Sequence, residues 1–285
     1  MGFAWRSFAA GLLAGYALFT DYTGAVTIAA LGLFLLIQEI SESSFSTAVK
    51  NCLPFVAGVL IPVGFLLAYQ WYCFGSPWWP AQYYMPQEIF RGYPSDHGFG
   101  VPRVAALWSL LFDPLYGLFV FAPILALALY HPVLVRRGAN RVPGRVALLA
   151  WVLSIGLWVF CSAIHFTLRH QWQDGVRYLV PVVPFLFLLA ADVFARMPRA
   201  LAYILAAGAV FESWCLAMAR EAPLVSLSRV VRDGLELPWL TALINTAPQY
   251  YPALEKGASP LPLFVILILF IGLLWRTAAP RRAGA

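Results

Sequence analysis

The sequence predicts an all-α polytopic membrane protein with about seven to eight transmembrane helices in one transmembrane domain, residues 1–285. Hydrophobic residues make up 61% of the chain and charged residues only 11%, whereas soluble domains carry about a quarter charged residues. The apolar residues also form long runs, separated by short polar or aromatic segments. Long apolar runs with few charges are the signature of membrane-spanning helices.

The first apolar run, residues 8–37, is too long for one simple span. As a single helix it would measure about 45 Å, against a hydrocarbon core of about 30 Å. Polar residues around Asp21 interrupt it midway. The sequence therefore predicts a hairpin of two short helices with Asp21 at the turn. The alternative is one tilted helix with Asp21 facing a polar pocket.

Six further apolar runs are predicted to span the membrane. They are separated by three outer loops and by short basic segments. The loop after the second run is dense in Pro, Gly, Trp and Tyr, which is typical of an irregular loop at the membrane interface. The predicted spans are residues 52–72, 115–130, 146–164, 178–195, 200–219 and 261–275, and the predicted outer loops are residues 73–114, 165–177 and 220–260.

The arginines indicate which ends of these spans face the cytoplasm. Residues 131–145 contain four arginines and no acid, and such clusters mark cytoplasmic loops. The basic turn at residues 196–199 and the C-terminal tail fall on the same side, and all three predicted outer loops fall on the other. Because the net charge of +6 lies mainly in these short loops, it indicates topology rather than nucleic-acid binding.

The richest polar segment is residues 165–186, H-F-T-L-R-H-Q-W-Q-D-G-V-R-Y-L-V-P-V-V-P-F-L. Charges beside a bilayer are costly and tend to mark a working site. Arg177 precedes an apolar run on the side where positive charge is not favoured, so we expect it to grip a lipid phosphate through two donors. The alternative is a guanidinium that only sets topology.

Other polar residues have both functional and structural explanations. Asp174 is expected to pair with Arg177 or Arg169, and His170 could contact a substrate or a headgroup. The Asp96–His97 pair could perform acid–base chemistry or form a solvated turn. Aromatic residues such as Trp172 could stack on a sugar or belong to the headgroup belt.

Metal binding is not predicted from the histidines. His165 and His170 lack the i, i+4 spacing of a helical metal pair, and no cluster of carboxylates accompanies them.

Four stretches carry a resemblance to a known family. They are F-A-A-G-L-L-A-G-Y-A-L-F-T-D-Y-T (residues 8–23), A-Y-Q-W-Y-C-F-G-S-P (68–77), L-L-F-D-P-L-Y-G-L-F-V-F-A-P (110–123) and W-Q-D-G-V-R-Y-L-V-P-V-V-P-F-L (172–186). In this order they resemble the C-terminal portion of bacterial GT-C type membrane glycosyltransferases, the group similar to dolichyl-phosphate-mannose protein mannosyltransferases.

The resemblance implies a GT-C-like fold in the cell membrane and transfer of a sugar from a polyprenyl-phosphate carrier to an acceptor on the extracytoplasmic face. The reaction would be an inverting displacement, with a carboxylate as base and a cation, such as a divalent metal ion, holding the leaving phosphate. The substrate-binding candidates are then Arg177, Tyr178, Trp172, His170, Asp174 and His97.

The chain departs from the family pattern at several positions. The family's catalytic acid lies in the first outer loop, and nothing here matches that loop. The polar turn carries Asp21 in place of Lys or Arg, Tyr116 replaces an Arg, and Val176 replaces a Pro. The base is therefore unassigned, with Asp21 and Asp96 as weak candidates, and we expect the chain alone to lack transferase activity.

A non-catalytic membrane protein is the alternative to an enzyme, either a lipid-binding partner subunit or a carrier. A carrier should show two repeated halves with interrupted helices. The sequence contains no such repeat, which favours the partner subunit over the carrier within this alternative.

The topology generates a direct test. Residues 131–145 are predicted inside and residues 73–114 outside. In a background with Cys52→Ser and Cys73→Ser, a membrane-impermeant maleimide added from outside should therefore label Ser95→Cys and spare Gly138→Cys. Permeabilising the membrane should make the second position reactive and serves as the control. Labelling of Gly138→Cys alone in intact cells would reverse the orientation.

Overall fold

The structure, a computed structural model, describes residues 3–86, 100–164, 177–219, 221–234 and 261–278. For Gln82, Arg177, residues 261–264 and Ala278 it describes the backbone alone. The described part is helical and contains no strand, as the sequence predicts. The helices are α1 (Phe3–Thr20), α2 (Gly24–Glu42), α3 (Phe45–Phe74), α4 (Val104–Phe112), α5 (Leu118–Phe121), α6 (His131–Arg136), α7 (Gly144–Ser162), α8 (Val183–Phe194), α9 (Arg199–Ala219), α10 (Pro223–Asp233) and α11 (Leu261–Ala278).

Four of the described helices, α2, α3, α7 and α9, are long and apolar enough to cross a membrane. Shorter apolar stretches cover Pro123–Arg136, Tyr178–Phe194 and Val265–Thr277. Large apolar side chains on these helices stay exposed, such as Leu60, Phe65 and Trp71 on α3. A soluble protein would bury such a surface, whereas a bilayer accommodates it. The chain is therefore an all-α membrane protein.

The first run folds as two helices, α1 and α2, with Asp21 at the turn between them. α1 also packs closely against α3 through glycines. A Cβ added at Gly15 would lie 2.7 Å from the Val59 carbonyl oxygen, and one at Gly58 would lie 2.7 Å from the Leu12 nitrogen. Real Cβ atoms do not approach so closely, so these helices can meet only where side chains are absent. Small residues serve the same purpose in membrane helix pairs generally.

The larger of the buried hydrophobic clusters in the described residues surrounds α7. Its buried side chains, among them Leu157 and Cys161, pack with apolar residues of α4, α5 and α8. The Trp158 indole N–H donates to the Leu107 carbonyl at 2.9 Å, which fixes α4 against α7. α7 has 19 residues and is about 28 Å long, close to the hydrocarbon thickness. Its two ends therefore lie at opposite ends of the packed helices.

The predicted span at residues 115–130 is not one α-helix. α5 ends at Phe121, and a 3₁₀ helix runs from Pro123 to Tyr130 before α6 begins at His131. Pro123 has no N–H to donate, and Ala122 before it leaves the helical region with φ −147°. The residue before a proline disfavours the α conformation, which accounts for the break at Ala122. The predicted span was based on the apolar run alone and therefore missed this break.

Other boundaries also differ from the sequence prediction. α3 begins at Phe45 rather than at 52, because the Ser44 side chain caps it by accepting from the Thr47 N–H at 3.4 Å. It ends at Phe74, and Gly75 follows as the cap with a φ of 74°, in the left-handed region that favours glycine. The predicted outer loops 73–114 and 220–260 contain α4 and α10 respectively.

The chain divides into two compact units, Met1–Ala209 and Val210–Ala285. The boundary falls within α9. In the second unit, Cys215 and Met218 of α9 form a small buried cluster with Val230 of α10. All four cysteines are free thiols.

The glycine contact predicts a position-specific effect of one methyl group. Gly58→Ala should destabilise the protein by about 1–3 kcal/mol, because the new Cβ forces α1 and α3 apart. Gly64→Ala is the matched control on the same helix, since its Cβ would meet nothing within 4 Å, and it should be neutral or gain up to about 1 kcal/mol in helix propensity. Unfolding of the detergent-solubilised protein by increasing SDS measures both; equal stability of the two variants would contradict the close packing.

Candidate functional site

The turn between α1 and α2 presents a carboxylate at the end of the hairpin. Asp21 is exposed, and its Oδ1 accepts from the Thr23 N–H at 2.8 Å. Short polar side chains commonly close turns in this way. Among the described residues, Oδ2 makes no hydrogen bond. One carboxylate oxygen therefore holds the turn, and no described residue occupies the other.

Gly24 makes this tight turn possible. It opens α2, and a Cβ there would lie 2.6 Å from the Leu18 Cα in the last turn of α1. The chain thus reverses with the two helix ends in backbone contact. That geometry places Asp21 and Tyr22 at the tip of the hairpin.

The hairpin tip forms one wall of a pocket of about 340 Å³. The other walls come from the C-terminal part of α3, from the end of α7 and the residues just after it, and from Tyr178 in the segment that precedes α8. The lining is apolar except for the Asp21 carboxylate and several hydroxyl groups, those of Thr20, Thr23 and the tyrosines. It consists of residues 18–23, Leu66 and Tyr69 of α3, Phe160 and Ile164 at the end of α7, and Tyr178.

Two polar contacts fix the walls to one another. Buried Gln70 of α3 donates from Nε2 to the Tyr22 hydroxyl at 2.8 Å, which ties α3 to the hairpin tip. The Cys161 thiol donates to the Tyr178 carbonyl at 3.6 Å, which ties α7 to the segment before α8. The pocket is therefore held by side chains from parts of the chain that are far apart in sequence.

The structure brings together two of the residues singled out in the sequence, Asp21 and Tyr178. Arg177, next to Tyr178, begins the 3₁₀ segment Arg177–Val182, and only its backbone is described. Ile164 and Tyr178 both line the pocket. His165, His170, Trp172 and Asp174 belong to the segment between them and lie outside the described residues.

The Asp96–His97 pair also lies outside the described residues. The chain is described again from Gly100, whose N–H donates to the Ala163 carbonyl at 2.9 Å. Ala163 directly precedes Ile164 of the pocket wall. The part of the predicted aromatic loop that begins at Gly100 is therefore hydrogen-bonded to the chain next to the pocket wall.

A second polar cluster, at the opposite end of α7, was not found from the sequence. Buried Asp192 of α8 accepts from the Arg141 N–H at 2.9 Å, the Val142 N–H at 3.3 Å and the Arg196 guanidinium. The fully buried His131 ring lies 3.2 Å from the same carboxylate. These contacts fasten the arginine-rich segment 131–145 to the end of α8.

This cluster explains how a carboxylate can stay buried. Its oxygens are satisfied by peptide N–H groups and by opposite charge, which a buried ion requires. The sequence offered one signal, an acid in an apolar run four residues before Arg196, a spacing that places both on one helix face. Because these donors occupy its oxygens, Asp192 has a structural role.

Among the described residues, no group of three His, Cys, Asp or Glu side chains could hold a metal ion. The chain matched no known protein family, no curated protein and no solved structure.

Asp192 generates a stability prediction. Asp192→Ala should lower the free energy of unfolding by about 3–5 kcal/mol, because it leaves buried donors and a guanidinium without their acceptor. Glu42→Ala removes the exposed partner of Arg145, at 3.4 Å, and should cost about 0–1 kcal/mol. SDS-induced unfolding measures both. Trypsin should also cut after Arg141 faster in Asp192→Ala; equal stability and equal cleavage would rule out the anchoring role.

Proposed function

We propose that the pocket at the α1–α2 turn binds a polyprenyl-phosphate-linked sugar, and that the chain is a GT-C-like membrane glycosyltransferase acting on the extracytoplasmic face of the cell membrane. The supporting observation is the convergence of an accessible carboxylate, tyrosine hydroxyls and an apolar wall at one end of the membrane helices. Three of the four stretches that resemble the family contribute residues to it, namely Asp21, Tyr69 and Tyr178.

The chemistry of the lining suits an amphipathic ligand. A volume of about 340 Å³ is at the small end of ligand pockets, roughly 300–1,000 Å³, so it suits a sugar unit rather than a whole lipid. Tyrosine rings and hydroxyls can stack on a sugar and bond to its hydroxyl groups. The polyprenyl chain would extend along the exposed apolar helix surfaces into the bilayer.

The sequence alone led us to expect no transferase activity, because nothing matches the family's first outer loop. The pocket offers the Asp21 carboxylate as a base, and on that ground we propose transfer in place of the earlier expectation. In the proposed step Asp21 takes the proton of the acceptor hydroxyl while that oxygen attacks the anomeric carbon. The bond from the anomeric carbon to the phosphate oxygen breaks, its electron pair leaves with the phosphate, and the configuration inverts. Arg177 is proposed to bind that phosphate, since a guanidinium can donate to two oxygens at once.

A non-catalytic lipid-binding subunit is the second candidate. The observation that favours it is the role of Asp21 Oδ1 in closing the turn, since a carboxylate placed for structure need not abstract a proton. In this case the pocket would hold the same lipid without transferring its sugar.

Asp21 separates the two functions. We expect Asp21→Asn to lower transfer of tritiated mannose from polyprenyl-phosphate mannose by roughly 10²–10⁴-fold, because an amide cannot accept the proton, and to retain lipid binding. Asp113→Asn is the matched control: Asp113 also closes a turn, accepting from the Leu115 N–H at 2.8 Å, but does not line the pocket.

Membranes containing the full chain are given the labelled lipid, and loss of label from the organic extract is followed. Binding without transfer by the unsubstituted chain would contradict the enzyme and support the lipid-binding subunit. Equal transfer by Asp21→Asn and the unsubstituted chain would remove Asp21 as the base.

A further inference from the structure

Helix α10 separates its apolar and charged residues onto different sides. Leu224, Leu227 and Val231 recur at the i, i+3 and i+7 positions of one helix face. Arg229 lies on the opposite side, and Arg232 lies between Arg229 and the stripe. Leu224 and Val231 are 72% and 77% exposed, so within the described part of the chain this apolar stripe is largely uncovered.

The packing of α10 fixes its distance from the end of α9. Val230 and Leu227 contact the small cluster formed by Cys215, Met218 and Trp214 of α9. Trp214 lies five residues before Ala219, the last residue of α9, which corresponds to about 7–8 Å along the helix. α10 is therefore packed onto the last two turns of a helix long and apolar enough to cross a membrane.

The connection between the helices holds α10 in that place. The buried Ser226 hydroxyl donates to the Glu221 carbonyl at 2.9 Å and accepts from the Glu221 N–H at 3.3 Å. Glu221 also pairs with Arg229 at 3.2 Å. These contacts tie the segment after α9 to the middle of α10, so the helix cannot rotate its apolar stripe freely.

We propose that α10 lies in the membrane–water interface, with Leu224 and Val231 inserted among the lipid acyl chains and Arg229 and Arg232 facing the headgroups and water. The last turns of a spanning helix lie at the membrane boundary, which is the depth at which amphipathic helices bury an apolar face about 5–10 Å into the bilayer. Trp214 belongs to the residue type enriched at that boundary. This surface is independent of the pocket and of the proposed transfer.

Spin labels on opposite sides of α10 test this proposal. Leu224→Cys and Val231→Cys are compared with Val225→Cys, which places the same residue change as Val231→Cys on the arginine side. The background carries Cys52→Ser and Cys73→Ser, and the buried Cys161 and Cys215 are kept. The full chain is labelled with a nitroxide and reconstituted in phosphatidylcholine–phosphatidylglycerol vesicles, and equal helix content by circular dichroism checks folding.

Oxygen concentrates in the bilayer and a nickel chelate in water, so collision with each reports the surroundings. We expect the nitroxides at 224 and 231 to collide several-fold more with oxygen than with the chelate, and the nitroxide at 225 to show the reverse ratio. High chelate accessibility at all three positions would overturn the proposal. Low accessibility to both reagents at 224 and 231 would also overturn it, because it would mean that protein covers the stripe.

Discussion

The backbone contact between α1 and α3 is the constraint on which the pocket depends. Glycine at positions 11, 15 and 58 lets the two helices approach without side chains between them. Without a hydrophobic force between helices in lipid, such close packing is a main source of association energy. It holds the hairpin tip beside the last turn of α3, where Gln70 reaches Tyr22. The position of Asp21 thus follows from residues that lie more than one helical turn away from it.

The two carboxylates at opposite ends of the helix packing illustrate how surroundings decide a role. Asp192 is buried, and peptide N–H groups, an imidazole and a guanidinium occupy its oxygens. Asp21 is exposed, and the turn engages only one of its oxygens. A fully bonded carboxylate resists both proton uptake and ligand exchange. In Asp21, by contrast, no described residue occupies the second oxygen.

Much of the architecture was predictable because it depends on local composition. The hairpin at Asp21 follows from an apolar run longer than the bilayer and a polar interruption in its middle. The start of α3 was placed too late because polar residues such as Asn51 resembled a link. In the structure Asn51 donates to the buried Glu39 carboxylate at 2.6 Å, so a polar partner on α2 satisfies it within the helix.

The pocket was predictable only in fragments, because it depends on contacts between distant residues. Asp21 and Tyr178 were each notable in the sequence, but they lie far apart along the chain and nothing in one sequence pairs them. The same holds for His131 and Asp192, whose contact joins residues 61 positions apart. Gln70 gave no signal at all, because a lone amide in an apolar helix has no characteristic partner.

The 3₁₀ helix at Pro123–Tyr130 has a mechanical consequence for the element that contains it. Runs longer than three or four residues are uncommon in this conformation, and this one has eight. At about 2.0 Å per residue it extends about 16 Å, whereas an α-helix of the same residues would extend about 12 Å and turn about 160° less. Its far end is fixed, since His131 contacts Asp192. If the amides of this run changed from i−3 to i−4 acceptors, the run would shorten and unwind. α5 would then move toward His131 and rotate about the helix axis, while the arginine-rich end stayed in place.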